Sequence, residues 1–294
     1  MWILLSLLAA ILWSGREGVM KGAGGVAGPL LLTVGLAGVT FLLLAPVALL
    51  QGEGVHGPGF WPALVVSASV NSICTLLIAR SVVISDLSLV APLQSFTPVF
   101  MLLWAPWALQ EVPSVGGVLG VLVVVAGAYL LAAPSAGGGW MAPLRALWED
   151  GGARLMLAVA LLFSFSATAD KVGVLASGPL LWGAAMHGGM VAILGPFAAW
   201  RWLKLRRTPA GSAGVRGAPV PWILAAGVLN GVMMGVQMTA YTLSLAAYVI
   251  AVKRSSILFS ILLGRVFFHE MTAGKRLPGA VLMLVGFLLL TLLE

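Results

Sequence analysis

Long apolar runs, separated by Gly-Pro, Gly-rich or charged stretches, divide the chain into ten segments at 2–22, 29–50, 61–80, 85–109, 114–133, 153–173, 179–201, 220–241, 245–268 and 274–293. Each is close to the roughly 20 residues that a helix needs to cross a bilayer. The two longest connections are 134–152, with PSAGGGW, and 202–219, with KLRRTPAGSAGVRGAP. Both are polar and rich in Gly and Pro, so they are expected as loops outside the hydrocarbon. The first apolar run starts at Trp2 with nothing basic before it and no clean small-residue cleavage site after it. It is therefore read as the first span rather than a signal peptide.

Comparing the chain with itself shows an internal repeat. At an offset of 150, Lys21 pairs with Lys171, GPLLL at 28–32 with GPLLW at 178–182, and Pro46 with Pro196. Beyond the second long connection the offset becomes 159, pairing Asn71 with Asn230, Glu111 with Glu270, Gly120 with Gly279 and Gly127 with Gly286. The predicted fold is an all-α polytopic membrane protein of ten transmembrane helices in two five-helix repeats, 1–137 and 153–294, joined by a linker at 138–152. An odd number of spans per repeat inverts one copy relative to the other. Inverted repeats are an architecture of secondary transporters, whose substrate sits near the midplane where the repeats meet.

Composition agrees with a membrane solvent. Of 294 residues, 61% are hydrophobic and 9% charged, with mean hydropathy +1.08, whereas a soluble domain carries about 25% charged residues. The net charge of +7 is read as topology rather than nucleic-acid binding. The loops after spans 3, 5, 7 and 9 hold Arg80, Arg145, Arg154, Lys204, Arg206, Arg207, Arg216, Lys275 and Arg276, and those after spans 2, 4, 6 and 8 hold none. The positive-inside rule then puts the odd-numbered loops in the cytoplasm and both termini outside. A lone Cys74 and the scattered His56, His187 and His269 give neither a disulfide framework nor a metal site, so no cofactor is expected. No phosphate-binding GxxxxGK[ST] motif is present, so an ATP motor is not expected. Nine acidic residues, mostly at span ends, argue against a membrane enzyme. A channel or scaffold would explain neither the repeat nor the charges described next.

The most unusual stretch is 246–270, AAYVIAVKRSSILFSILLGRVFFHE. A charge near the middle of a span costs roughly 2.5–3.5 kcal/mol, and Lys253 lies about 10 Å in at 1.5 Å per residue. Two readings stand. Lys253 and Arg254, with Ser255, face an internal cavity and hold an anion, or both long side chains snorkel to the interface. Gln94 and Ser95 sit between Pro92 and Pro98, where a helix break can line a cavity or simply bend the span. Asn71 and Asn230 either line the site or hydrogen-bond between helices. Gln237 and Tyr241, four apart, share one helix face. Glu17, Asp170 and His187 are candidates for proton or ion coupling. Against that, Glu17 pairs in spacing with Lys21, Asp170–Lys171 repeats that arrangement, and His187 serves equally as a packing histidine. Glu111 and Glu270 are read as capping or loop anchors, and the repeated glycines as close helix contacts.

Several stretches carry a family resemblance: LLAAILWSGREGVMK at 7–21, SLVAPLQSFTPVFMLL at 88–103, LQEVPSVGGVLGVLVVVAGAYLL at 109–131, KRSSILFSILLGRVFFHE at 253–270 and GAVLMLVGFLLL at 279–290. Together they resemble the drug/metabolite transporter superfamily in its ten-helix EamA form. The resemblance implies a multi-pass plasma (inner) membrane protein moving a small-molecule substrate by alternating access, through exchange or ion coupling, and not an enzyme. Relatives with cytoplasmic termini have a basic loop after span 2, and here QGEGVHGPGF has no Lys or Arg. Plastid phosphate translocators carry a similar Lys-Arg pair on the ninth span, which implies a polar, anionic substrate. They add a lysine on the fourth span, where this chain has Gln94 and Ser95. The alternatives are a flippase for a lipid-linked phosphate headgroup, and an exporter of neutral amino acids or other metabolites with a structural Lys-Arg pair. A monomer is the default state and a homodimer the alternative.

Overall fold

The apolar runs fold as helices. This computed structural model describes residues 1–22, 29–132, 140–206, 220–260, 262 and 277–292, with no strand among them. The helices are α1 (Trp2–Gly22), α2 (Pro29–Leu50), α3 (Phe60–Ile84), α4 (Leu87–Val90), α5 (Thr97–Ala108), α6 (Val115–Ala132), α7 (Ala142–Glu149), α8 (Gly151–Ser177), α9 (Pro179–Arg206), α10 (Val220–Leu243), α11 (Ala246–Lys253) and α12 (Leu277–Leu292). Among the described residues six helices are long and apolar enough to cross a membrane: α1, α2, α3, α8, α9 and α10. Two shorter apolar helices, α6 and α12, accompany them. Their outer faces leave Leu42, Val65, Phe197, Leu284 and Leu288 well exposed. So large an uncovered apolar surface suits lipid rather than water.

Helices from the two ends of the chain pack on each other. The closest partners are α6 with α12, α3 with α8, α1 with α10 and α2 with α9. Glycines set one of these seams. A Cβ on Gly127 would lie 2.6 Å from Met283 N, and one on Gly279 would lie 2.7 Å from Leu131 N. Backbones this close leave no room for a side chain, so small residues bring α6 and α12 together.

Three expectations need correction. The stretch 134–152 is not all loop, because α7 occupies Ala142–Glu149 and buries Pro143 and Ala146. Arg80, Arg154, Lys204 and Arg206 lie inside α3, α8 and α9 rather than between spans, so the connection expected at 202–219 starts after Arg206. The helix α8 starts at Gly151, where Asp150 supplies the N-cap by accepting from Ala153 N at 2.8 Å. Ser85 Oγ donates to the same carboxylate at 2.5 Å, and that bond holds the Asp150 carboxyl below the usual carboxylate range.

The fourth and ninth apolar runs are broken rather than continuous. In the fourth, a 3-10 turn over Ala91–Phe96 separates α4 from α5. Pro98 has no N–H to give Gln94 O, and Thr97 Oγ1 donates to that carbonyl instead at 2.9 Å. Ser95 Oγ donates to Pro92 O at 2.6 Å. In the ninth, α11 ends at Lys253 and a turn at Arg254–Ser255 precedes a further helical stretch at 256–260. Bonds there tighten to three-residue spacing, Ser255 N to Val252 O at 3.0 Å and Leu258 N to Ser255 O at 2.9 Å. The offset of 159 superimposes the two breaks, Gln94 on Lys253 and Ser95 on Arg254.

Carboxylates from one end of the chain cap helices of the other. Glu53 Oε2 accepts from Leu181 N at 2.6 Å at the start of α9. Glu111 Oε2 accepts from Ala246 N at 3.1 Å at the start of α11. A negative charge is favourable at a helix N-terminus, and Glu111 is further fixed by an ion pair with Lys171. Glu270 and the side chain of Lys21 lie outside the described residues.

Candidate functional site

The break in the ninth run lies against α1 and α10. Lys253 does not snorkel. Its Nζ donates to Gln237 Oε1 at 2.5 Å and lies 4.2 Å from the centre of the Trp13 ring. Arg16 uses the same ring, with Cζ 3.8 Å from its centre. Two cations thus share one indole, whose electron-rich face attracts positive charge. Gln237 Nε2 in turn donates to the hydroxyl of the fully buried Tyr241 at 3.2 Å. Arg254 has no ion pair among the described residues, and its buried Nε has no hydrogen-bond partner. The same is true of Arg16 Nε and Ser255 Oγ. Buried donors without acceptors are costly unless something else supplies the acceptor.

A second chain of bonds holds Arg16 in place. Its Nη1 donates to Asn230 Oδ1 at 2.9 Å, and its Nη2 pairs with Glu17. Asn230 Nδ2 contacts Thr40 Oγ1 at 3.0 Å and His187 Nε2 at 2.9 Å. His187 Nδ1 faces Gly183 O at 2.8 Å. A carbonyl only accepts, so Nδ1 carries the hydrogen and Nε2 accepts from Asn230. Every polar atom of the neutral imidazole is then satisfied, which favours a positioning role for His187 over proton carriage. Glu17 is half exposed and pairs with Arg16, while the side chain of Lys21, its partner by spacing, lies outside the described residues.

A separate polar cluster lies between α3 and α8. Asp170 Oδ1 accepts from Ser67 Oγ at 2.5 Å and from Trp182 Nε1 at 3.1 Å. Asn71 Nδ2 donates to Ser166 Oγ at 2.6 Å and to Ser67 O at 2.8 Å. Lys171 turns away from Asp170, its Nζ donating to Ser244 O at 2.6 Å and pairing with Glu111. The expected Asp170–Lys171 arrangement is therefore replaced by a bridge between the two ends of the chain.

The structure thus gathers Lys253, Arg254, Ser255, Gln237, Tyr241, Asn230, His187 and Glu17 around one region. Asn71 and Asp170 fall in the second cluster. Gln94 and Ser95 sit at the equivalent break, with no hydrogen bond to Lys253 or Arg254 among the described residues, and the Ser95 hydroxyl is spent on Pro92 O. The sequence pattern gave Trp13 no role and Arg16 only that of a charge near the membrane boundary. Their i, i+3 spacing, which puts both on one face of α1, was the available signal. Two cavities found among the described residues lie elsewhere, one beside Arg145 and Asp150 and one lined by Phe41, Trp61 and Val191.

Comparison with known proteins adds a likeness to one family over the first part of the chain, and a fold. The profile of the EamA-like transporter family, part of the drug/metabolite transporter superfamily, matches residues 1–133. One solved structure, described only as a crystal structure of a protein, superposes on 99% of this chain and 97% of its own, with a TM-score of 0.69 at 15% identity. At that identity the likeness speaks for the fold alone. No curated protein sequence matches the chain.

Proposed function

We propose, from the membership of residues 1–133 in the EamA-like transporter family, that this membrane transporter carries a small polar anion by alternating access. In this reading ten spans form two inverted repeats, and the broken fourth and ninth runs meet the substrate. The pairing of α1 with α10 and of α3 with α8 supports it, because an inverted repeat exchanges those pairs. Lys253 and Arg254 supply the charge, Arg16 adds a third cation from the other repeat, and Ser255, Gln237 and Tyr241 supply hydrogen bonds. Asn230 and His187 orient Arg16. The pathway opens to either side by movement of one repeat against the other. Energy comes from exchange or an ion gradient.

The observation that carries the anion assignment is Arg254: a guanidinium at a helix break, its Nε buried and unpartnered, with no carboxylate in ion-pair range among the described residues. An anionic group would satisfy it together with Arg16 Nε and Ser255 Oγ. The test is a thermal-shift screen of the purified protein against phosphate esters, carboxylates, neutral amino acids and cationic amines. Stabilisation by anions is expected. Stabilisation by cationic amines alone would overturn the assignment, and stabilisation by neutral amino acids alone would make the Lys-Arg pair structural.

Orientation follows the basic residues, with the 202–219 loop cytoplasmic. A cysteine introduced into that loop of a Cys74→Ala background should resist impermeant thiol reagents in intact cells. Ready labelling would reverse the orientation.

A further inference from the structure

The Asp170 cluster is unused by the substrate site, yet it is not electrically isolated from it. Asp170 is buried, and the hydrogen bonds to its carboxylate come from neutral donors, Ser67 Oγ and Trp182 Nε1. No cation lies within ion-pair distance among the described residues, because the neighbouring Lys171 is committed to Glu111 and Ser244 O. A buried carboxylate without a counter-charge is expensive in its ionised form. Two helices packed against α8 bring charged or titratable groups from the substrate site: α11, which ends at Lys253, and α10, which carries Tyr241. The other elements against α8 contribute little. On α3, Cys74 packs toward Val159, and Arg80 is exposed. On α9, His187 is committed to Gly183 and Asn230. The α7 residues Arg145 and Glu149, and Arg154 of α8 itself, lie toward the opposite end of α8. The α4 helix, the 3-10 turn and α5 bring no titratable side chain.

We propose that Asp170 takes up a proton when an anion binds at Lys253 and Arg254, so that the anion and the proton travel together. The proposal rests on the anion reading of Lys253. The positive charge of Lys253 favours ionised Asp170. An anion seated on Lys253 and Arg254 cancels that field, and the carboxylate then takes a proton from hydronium: one O–H bond forms on the carboxylate as one breaks in the hydronium ion, which leaves as water. Linkage makes the effect reciprocal, so protonated Asp170 strengthens anion binding by the same factor. A gradient of protons can then drive uphill movement of the anion. Ser67 and Trp182 hold the carboxylate in place between α3 and α9, which keeps it buried in both protonation states.

The test is infrared difference spectroscopy of the full chain carrying carbon-13 aspartate. The sequence has three aspartates, Asp86, Asp150 and Asp170, and the Asp170→Asn variant assigns the band. Two independent arms follow. Sulfate, an anion that does not itself buffer near neutrality, should make the protonated Asp170 band appear at higher pH in the wild type, by about one pH unit for loss of one nearby charge. Lys253→Met should do the same with no anion present, and should abolish the effect of sulfate. An Asp170 band that never appears, or one indifferent to Lys253→Met, overturns the proposal whatever the substrate. Thermal shift distinguishes the remaining case. If sulfate neither stabilises the wild type nor moves the band while Lys253→Met does move it, the charge linkage stands and the anion reading fails. Should Lys253→Met not fold, Lys253→Gln serves in that arm. In proteoliposomes, anion entry should carry protons inward in the wild type and not in Asp170→Asn.

Discussion

Arg16 and Asn230 are hydrogen-bonded across the two ends of the chain, Nη1 to Oδ1 at 2.9 Å and 214 positions apart. Shifted by the two repeat offsets, the same two places are occupied by Ser166 and Asn71, and they too are bonded, at 2.6 Å. One contact therefore recurs with different chemistry. Where the first holds a cation next to Lys253, the second holds a neutral hydroxyl next to Asp170. The repeat supplies a common frame, and substitution within it separates a positive region from a negative one.

Asn230 satisfies Arg16, His187 and Thr40 at once. Asn230→Ala leaves those buried groups short of partners, at a cost of about 1–3 kcal/mol. Thermal unfolding of the purified protein should show the loss. An unchanged midpoint would mean that the network relaxes without cost.

The seam between α6 and α12 depends on backbone proximity. Gly127→Val would push a side chain against Met283 N and Gly279 O, 2.6 and 2.8 Å from the position of the new Cβ. Overpacking of this kind costs about 1–3 kcal/mol. Lower thermal stability without any change in substrate preference is the expected result, measured by unfolding and by binding side by side.

Asp150 offers a pH test outside the spans. Its carboxyl is held below the usual range chiefly by the Ser85 hydroxyl. It therefore contributes stability that is fully present above the unfolded value of about 4 and is lost as pH falls through the lower folded value. The difference in unfolding temperature between the wild type and Asp150→Asn should be flat above about pH 5 and shrink on the acid side. Asp150→Ala also loses the N-cap oxygen and should cost about 1 kcal/mol at neutral pH.

The helices were legible in the sequence because apolar runs and their breakers act locally. The fourth-run break was legible too, since Pro92 and Pro98 remove backbone donors wherever they stand. The ninth-run break was not. It occurs without proline, at Arg254–Ser255, directly after Lys253 turns onto Gln237 and Trp13 of other helices. Arg16, near the end of an apolar run, reads as a boundary charge, and only its distant partner Asn230 draws it inward. Lys171 reads as the partner of Asp170 by adjacency, yet adjacent helical residues point in different directions, and tertiary packing delivers Glu111 instead.

Counterflow in proteoliposomes tests the central claim most directly, using whichever anion stabilises the protein best in the thermal-shift screen. Wild-type protein preloaded with that anion should accumulate its labelled form. Lys253→Gln and Arg254→Gln should each reduce accumulation at least tenfold, with folded protein reconstituted in equal amount. Full-rate exchange in both variants would contradict an anion held by this pair of cations.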